Sequence, residues 1–179
     1  PRIEVSLSPR VAGDGPSDLV LVALGSNLGD SPALVREAMD RLQRLAKSSF
    51  LRSSLWRSTP VDCPLGTPPF INAAVSFQPL AGETPESLLA KLQAFEVEFG
   101  RQPKLRVNES RPLDLDLIAF GAEIRSTSSL TLPHPRAHLR RFVLEPLHEL
   151  APDLILPRHS KSISQYLAAL TSAEVVTRL

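Results

Sequence analysis

In the stretch FINAAVSFQ, residues 70–78, every second residue is apolar, and polar residues occur only at the positions between them. The assignment of the fold starts from this alternation. In an extended strand, successive side chains point to opposite faces of the sheet. One face of this stretch collects the apolar residues Ile71, Ala73, Val75 and Phe77. The other face carries Phe70, Asn72, Ala74 and Ser76. The pattern predicts a β-strand with one face packed on helices.

Regular elements are also predicted before this strand. The β-rich run DLVLVALGS (18–26), ended by Gly25, predicts a first strand. The segment SPALVREAMDRLQRLAK follows, with apolar residues at helical spacing, and it predicts a helix with Ser31 as N-cap and Pro32 at the first helical position. The alternating run SFLRSSLWRS (49–58) predicts another strand.

The segment after FINAAVSFQ completes the pattern. Thr84 and Pro85 open a second helix that runs through Phe99, and Gly100 is its expected stop. The run RPLDLDLIAFG (111–121) then predicts a fourth strand. The order β-α-β-β-α-β is that of a ferredoxin-like α+β sheet with its helices on one face. Helical segments around 142–150 and 163–170 close a single domain of residues 18–179, and residues 1–17 form a tail or an arm.

Composition limits the classes of function. The chain has 179 residues, a net charge of +1 and one cysteine, Cys63. The balanced charge argues against a nucleic-acid or membrane-surface partner, and the longest apolar run, Leu19 to Leu24, is too short to span a bilayer. A lone cysteine fits a reducing compartment, and the first residues lack the pattern of a signal peptide. We therefore expect a cytoplasmic protein that is a monomer or a weak dimer.

Asp114 and Asp116 are unusual because they stand in an otherwise apolar strand. Residues i and i+2 share a face, so the intervening leucines would pack on helices while both carboxylates project together from the opposite side. Two carboxylates this close repel each other unless a cation neutralises them, and Mg²⁺ accepts one or two carboxylates together with substrate phosphates. The alternative is a pair of solvated residues on an exposed face.

Basic side chains near these acids favour the metal interpretation. Arg111 precedes Asp114 by three residues, and Arg101 and Lys104 lie in the preceding proline-containing loop. Acids that hold a metal and arginines that clamp phosphate oxygens are the groups that phosphoryl transfer uses. His134, held between two prolines, is either a structural hydrogen-bonding group or a phosphate contact. The sequence contains no P-loop motif.

Taken in order, six segments resemble the 6-hydroxymethyl-7,8-dihydropterin pyrophosphokinases of folate biosynthesis. They are ALGSNLGD (23–30), STPV (58–61), FINAAV (70–75), the series Gln93, Glu96, Gly100 and Arg101, RPLDLDLIAFG (111–121) and LPHPRAHLRRFVLEPLHELAPDL (132–154). The resemblance extends from about residue 18 to residue 157. It implies transfer of the β,γ-diphosphate of ATP to the hydroxymethyl oxygen of the pterin, with release of AMP.

The same resemblance implies roles for individual residues. Asp114 and Asp116 match the aspartates that hold two Mg²⁺ ions on the ATP phosphates, and Arg101 and Arg111 match arginines that grip the transferring group. Further positions match the surroundings of ATP: Gln93, Glu96, Thr131, His134 and Arg140. Lys104, a basic residue of the loop before the acids, is also expected to contact ATP. A last group matches the pterin pocket: Ser58, Thr59, Pro60, Val61, Phe70, Asn72 and Phe142. In that pocket the two phenylalanines sandwich the ring and Asn72 reads its edge.

The chain also departs from the family pattern in its loops, and two other functions remain open. Many members carry Trp-Gly-Pro where this chain has Asn108, Glu109 and Ser110, and Pro103, Ser129 and Pro135 replace other family residues. One rival is a nucleotidyl transferase or cyclase, which would explain the paired acids but not Phe70 with Asn72. The other rival is a pterin- or nucleotide-binding module without catalysis.

Overall fold

The computed structural model describes residues 18–60, 62–100 and 110–179. Eight strands and four α-helices lie within these ranges, together with a short 3-10 helix, Ala137–Leu139. In chain order they are β1 (Val20–Ser26), α1 (Ser31–Gln43), β2 (Ala46–Arg52), β3 (Trp56–Ser58), β4 (Phe70–Pro79), α2 (Pro85–Glu98), β5 (Asp114–Phe120), β6 (Arg125–Ser126), β7 (Thr131–Leu132), α3 (Arg141–Leu150), α4 (Ile163–Ala169) and β8 (Val176–Arg178).

The main sheet is antiparallel and centres on β4, the stretch with the clearest alternation. Its strand order is β5-β1-β4-β3-β8, and β2 pairs with the second half of β4. The predicted strand over residues 49–58 is wrong as a single element, because it splits into β2 and β3. At the break, the Ser53 hydroxyl oxygen accepts the backbone N–H of Ala74 at 2.8 Å, so a side chain replaces a backbone partner. The short strand β8, which the sequence did not predict, lies at the edge beside β3.

Helices cover both faces of the sheet. α1 and α2 pack on one face over a core that includes Val22, Val75 and Leu117. α3 and α4 pack on the other face, over a second core that includes Leu21 and Ile118. The predicted α+β fold is confirmed: the first two helices share a face, and the C-terminal helices close the domain on the opposite face. Because both faces are covered, β1 is apolar along nearly its whole length.

The helix boundaries follow capping chemistry. α2 begins as predicted, since the Thr84 hydroxyl oxygen accepts the Ser87 N–H at 3.1 Å and the Ser87 hydroxyl accepts the Thr84 N–H at 2.9 Å. Gly100 has φ +92°, the left-handed conformation expected where a helix stops. The predicted N-cap of α1 is wrong by one residue. Asp30 caps this helix, and the hydroxyl of Ser31 is instead engaged by the buried hydroxyl of Ser26 at 2.9 Å.

Among the helices in the described ranges, none combines the length and the apolar character that crossing a membrane requires.

Candidate active site

A cleft of about 380 Å³ opens on the α3 side of the sheet. Four strands, the N-terminus of α3 and the C-terminal segment contribute to its walls. Nine of the predicted site residues line it: Ser58, Thr59, Phe70, Asn72, Arg111, Asp114, Asp116, Arg140 and Phe142. Segments far apart in the chain therefore meet at one concave surface.

Asp114 and Asp116 both line this cleft. Their backbone neighbours Leu113, Leu115 and Leu117 are buried in the core under α1 and α2, as the strand period predicts. On β1, the residues opposite the two acids are Gly25 and Ala23, which are too small to cover the carboxylates. The two acids are thus partly exposed on one side of one strand, which is the geometry that shared binding of a cation requires.

Arg111 lies between the acidic pair and an aromatic wall. Its Nε is 3.8 Å from Oδ2 of Asp114, and its guanidinium carbon is 5.9 Å from the ring centre of Phe70. The backbone N–H of Arg111 donates to Oδ1 of the buried Asn27 at 2.9 Å, which fixes the start of the strand. Nε is buried and has no hydrogen-bond partner within the described ranges. The guanidinium therefore retains donor capacity next to the carboxylates.

A second part of the cleft suits a flat ring. Phe70 and Phe142 both line it, and Asn72 lies beside them with a side chain that is almost completely buried. The Asn72 amide nitrogen donates to the Ser58 hydroxyl oxygen at 2.7 Å, which fixes the amide plane. Buried amides of this kind recognise the polar edge of a heterocycle, and aromatic faces stack on its plane.

The sheet sets the separation of the two parts. Gly25 on β1 pairs with Asp114 on one side and with Asn72 on the other. Strands are spaced by about 4.8 Å, so the backbones of Asp114 and Asn72 are roughly 10 Å apart. A two-ring heterocycle with a short arm spans a comparable length. One ligand can therefore reach from the amide to the region of the acids.

His134 lies outside the lining of the cleft, but it is close enough to Asp114 and Arg140 for both charges to act on its pKa. Burial lowers its pKa, Arg140 and Arg136 lower it further, and Asp114 partly opposes them. Its Nδ1 accepts the backbone N–H of Arg136 at 3.2 Å, which leaves the proton on Nε2. Its own backbone N–H donates to the Ile118 carbonyl oxygen at 2.9 Å. His134 can thus offer an N–H donor, but not a positive charge, at neutral pH.

Other predicted positions lie outside the lining of the cleft. Gln93 is exposed on α2, Thr131 is exposed on β7, and Pro60 follows Thr59 without lining the cleft. Glu96 is buried, and its Oε2 accepts the Leu115 N–H at 3.1 Å, which ties α2 to β5. The roles assigned to these residues stay predictions. Val61, Arg101 and Lys104 lie outside the described residues.

Sequence reasoning missed the C-terminal contribution. Ser172 and Glu174 line the cleft, together with Asp62, Cys63, Arg136 and Leu139. The β-branched run Val175, Val176 and Thr177 is the sequence signal that could have predicted a final strand. The run is only three residues long, and its partner strand lies more than a hundred residues earlier in the chain.

These features define a class of protein. It is a small α+β protein with a cleft that places two carboxylates and an arginine beside two phenylalanines and a buried amide. Residues 21–152 match the 7,8-dihydro-6-hydroxymethylpterin-pyrophosphokinase (HPPK) family. The chain belongs to this family, which confirms the resemblance.

Individual relatives agree with this assignment. The 2-amino-4-hydroxy-6-hydroxymethyldihydropteridine pyrophosphokinase of Pseudomonas aeruginosa is 38% identical over 151 residues, which cover 84% of this chain and 90% of the relative. The enzyme of the same name from Haemophilus influenzae is 37% identical over 137 residues, 76% of this chain and 83% of the relative.

Solved structures share the fold. The HPPK-DHPS of Plasmodium falciparum, determined with pterin and p-hydroxybenzoate, superposes with a TM-score of 0.62 at 11% identity. The match covers 84% of this chain but only 42% of that chain, so this chain spans less than half of the bifunctional protein.

Proposed function

We propose that the cleft transfers diphosphate from ATP to the hydroxymethyl group of 6-hydroxymethyl-7,8-dihydropterin and releases AMP, a step of folate biosynthesis. The observation that carries the proposal is that one cleft holds the paired carboxylates, Asp114 and Asp116, and a ring slot about two strands away. Phosphate-binding acids alone would suit many enzymes. Their combination with Phe70, Asn72 and Phe142 selects a flat heterocyclic acceptor.

The donor set fits Mg²⁺ that arrives with its nucleotide. Within the described ranges, no group of three His, Cys, Asp or Glu side chains could hold a metal ion by itself. Mg²⁺ is commonly bound by one or two carboxylates plus substrate phosphates, so Asp114 and Asp116 suffice when ATP supplies the other oxygens. Two ions are proposed, as the family resemblance implies. When bound, Mg²⁺ neutralises phosphate charge and makes the pterin hydroxyl a better nucleophile.

The reaction we propose is an in-line displacement at the β-phosphorus of ATP. The pterin hydroxymethyl oxygen forms a bond to this phosphorus, and the bond to the oxygen that bridges to the α-phosphate breaks. AMP leaves, and the hydroxyl proton passes to solvent. The available donors of Arg111, aimed at the region of Asp114, stabilise the negative charge on the transferring group, and Arg101 is proposed to act with it.

Other residues position the two substrates. Phe70 and Phe142 sandwich the pterin, the Asn72 amide binds its edge, and the backbone of residues 58–61 lines the slot. His134 donates its Nε2 proton to a phosphate oxygen, and Arg140 supplies charge beside it. The remaining nucleotide contacts are proposed for Gln93, Glu96, Lys104 and Thr131. Holding both reactants in line accounts for much of the expected rate enhancement.

The location, the partners and the oligomeric state of the enzyme are also proposals. The single Cys63 and the net charge of +1 support a cytoplasmic protein without nucleic-acid or membrane partners. We propose a monomer or a weak dimer, which sedimentation of the full chain at several concentrations would test.

Product analysis tests the proposed reaction. The full chain is incubated with ATP, Mg²⁺ and the hydroxymethyl dihydropterin, and AMP is measured over time. We expect AMP to form in step with consumption of the pterin and to disappear from the assay when the pterin is omitted. Release of pyrophosphate would instead indicate a nucleotidyl transferase. Tight binding of pterin without turnover would indicate a binding module, and either result would refute the proposal.

A further inference from the structure

Gly25 lies in the interior of a strand, where glycine is unfavourable. It does not end β1, because the strand continues through Ser26. Its backbone partners are Asn72 on β4 and Asp114 on β5, so position 25 is central in the sheet. A glycine in a strand adds no side chain to the packing and loses more conformational entropy on folding than alanine. Where such a glycine occurs, a bulge or the close approach of a ligand or another backbone is the usual reason.

Neither the backbone nor the packing requires glycine at position 25. The other five glycines in the described ranges have a left-handed φ, whereas Gly25 does not. Apart from its chain neighbours, a Cβ atom built here would have one heavy atom within 4 Å, Oδ1 of Asn72 at 3.5 Å, which is an ordinary van der Waals contact. The irregular pairing of β1 lies between Leu21 and Val22, so Gly25 is not part of a bulge. The free protein can therefore accept alanine at this position without strain.

The space that a side chain at position 25 would fill belongs to the cleft. On this face of β1 the side chains become smaller toward the cleft, from Leu21 in the core under α3 and α4, through Ala23 at its margin, to Gly25 in the lining. The Asn72 amide nitrogen donates to the Ser58 hydroxyl oxygen, and Oδ1 is the atom of this amide that lies near the Cβ position of Gly25. The floor of the cleft is thus formed by backbone between an amide oxygen and the acidic pair.

We propose that Gly25 is a specificity-determining residue for the pterin, a role that rests on the proposed function. The ring lies over the backbone of β1 with an N–H of its polar edge directed at Oδ1 of Asn72, and the hydroxymethyl arm extends past position 25 toward Asp114. A methyl group at position 25 occupies the space that the ring needs to reach this oxygen. Closely packed contacts do not accept an added methyl group without displacement, so the pterin is shifted or excluded. The nucleotide phosphates, on the side of the acids, do not need this space.

Two variants of the full chain test the proposal, and each adds one methyl group to a glycine. Gly25→Ala places the methyl group in the cleft without straining the backbone. Gly82→Ala is the matched control. Gly82 does not line the cleft, and its Cβ position has no neighbour within 4 Å, but its φ of +81° is strained for alanine. The two variants therefore separate the effect of a blocked cleft from the effect of a less stable fold.

The measurements are the pterin Kd, from pterin fluorescence with Mg²⁺ and a saturating non-hydrolysable ATP analogue, the Kd of that analogue alone, and the melting temperature. We expect Gly25→Ala to raise the pterin Kd at least about tenfold, the usual effect of an added methyl group in a packed contact. The Kd of the analogue should stay within about twofold, and the melting temperature should equal or exceed that of the wild type. Gly82→Ala should lower the melting temperature and leave the pterin Kd unchanged.

Three results for Gly25→Ala would overturn the specificity role: an unchanged pterin Kd, an equal rise in the Kd of the ATP analogue, or a melting temperature lowered as much as in Gly82→Ala. The last result would show that the fold itself requires this glycine. Any of them with an active wild type removes this inference and leaves the proposed function intact. A wild type that neither binds pterin nor forms AMP removes both.

Discussion

Replacing Arg111 by alanine should reduce turnover severely while changing the fold little. The wild-type side chain directs its guanidinium toward Asp114, and its Nε has no hydrogen-bond partner within the described ranges. The backbone at this position is held separately, by Asn27. The variant therefore removes the guanidinium without removing the contacts that shape the start of β5.

The structure gives the size of both effects. At 3.8 Å the gross attraction between Arg111 and Asp114 is about 4 kcal/mol at an effective dielectric constant near 20. Desolvation and partial exposure cancel most of it, which leaves about 1 kcal/mol, and the contact with Phe70 adds about 0.5–1 kcal/mol. The free energy of unfolding should thus fall by about 1–2 kcal/mol. Loss of a donor to the transferring phosphoryl group should raise the barrier by about 3–4 kcal/mol, a few hundredfold in kcat.

The assay compares AMP formation and urea unfolding in wild type, Arg111→Ala and Arg125→Ala. Arg125 makes ion pairs with Glu86 and Glu123, and none of the three lines the cleft, so its loss should leave kcat unchanged. Arg111→Lys separates charge from geometry, because lysine keeps the charge but lacks the planar fork. A fall in kcat of less than tenfold in Arg111→Ala, with ATP and pterin saturating, would refute the assignment.

Three further predictions concern other parts of the cleft. Asp116→Ala should lower Mg²⁺-dependent turnover at least about a hundredfold. The control Asp40→Asn, on the outer face of α1, should leave turnover unchanged. Near-normal turnover of Asp116→Ala would exclude the metal role. Phe142→Leu should raise the pterin KM roughly tenfold through lost stacking, and an unchanged KM would argue against the sandwich. As the pH falls below 6.5, the free energy of unfolding of His134→Gln should decrease less than that of the wild type. The pKa of His134 is lowered in the folded protein, so the unfolded chain takes up the proton first and is favoured by acid. An equal decrease in both proteins would contradict this prediction.

Much of the sheet and the acidic pair follow from local periodicity. The period of two in FINAAVSFQ fixes which side chains of β4 face which core, and the same rule puts Asp114 and Asp116 on one side of β5. The boundaries of α2 follow from Thr84 and Gly100, because capping depends on groups only a few residues apart. Local rules also identify Phe70 and Asn72 as neighbours on one face.

Features that depend on distant partners were not predictable in this way. The N-cap of α1 was missed for a different reason: Ser26 is only five residues before Ser31, but no capping pattern indicates that its hydroxyl engages that of Ser31. The break in the run SFLRSSLWRS occurs where Ser53 meets Ala74, a residue of another strand. No local sequence pattern predicts which face of the sheet α3 and α4 cover.

The sequence by itself determined the strand and helix periods, and hence the side on which each candidate group projects, because side-chain direction is a property of the local backbone. Only the tertiary structure decided that Phe142, Arg140 and Glu174 close the same cleft as Asp114. Their proximity depends on the packing of α3 and on the pairing of β8 with β3, contacts between segments that are far apart in the chain.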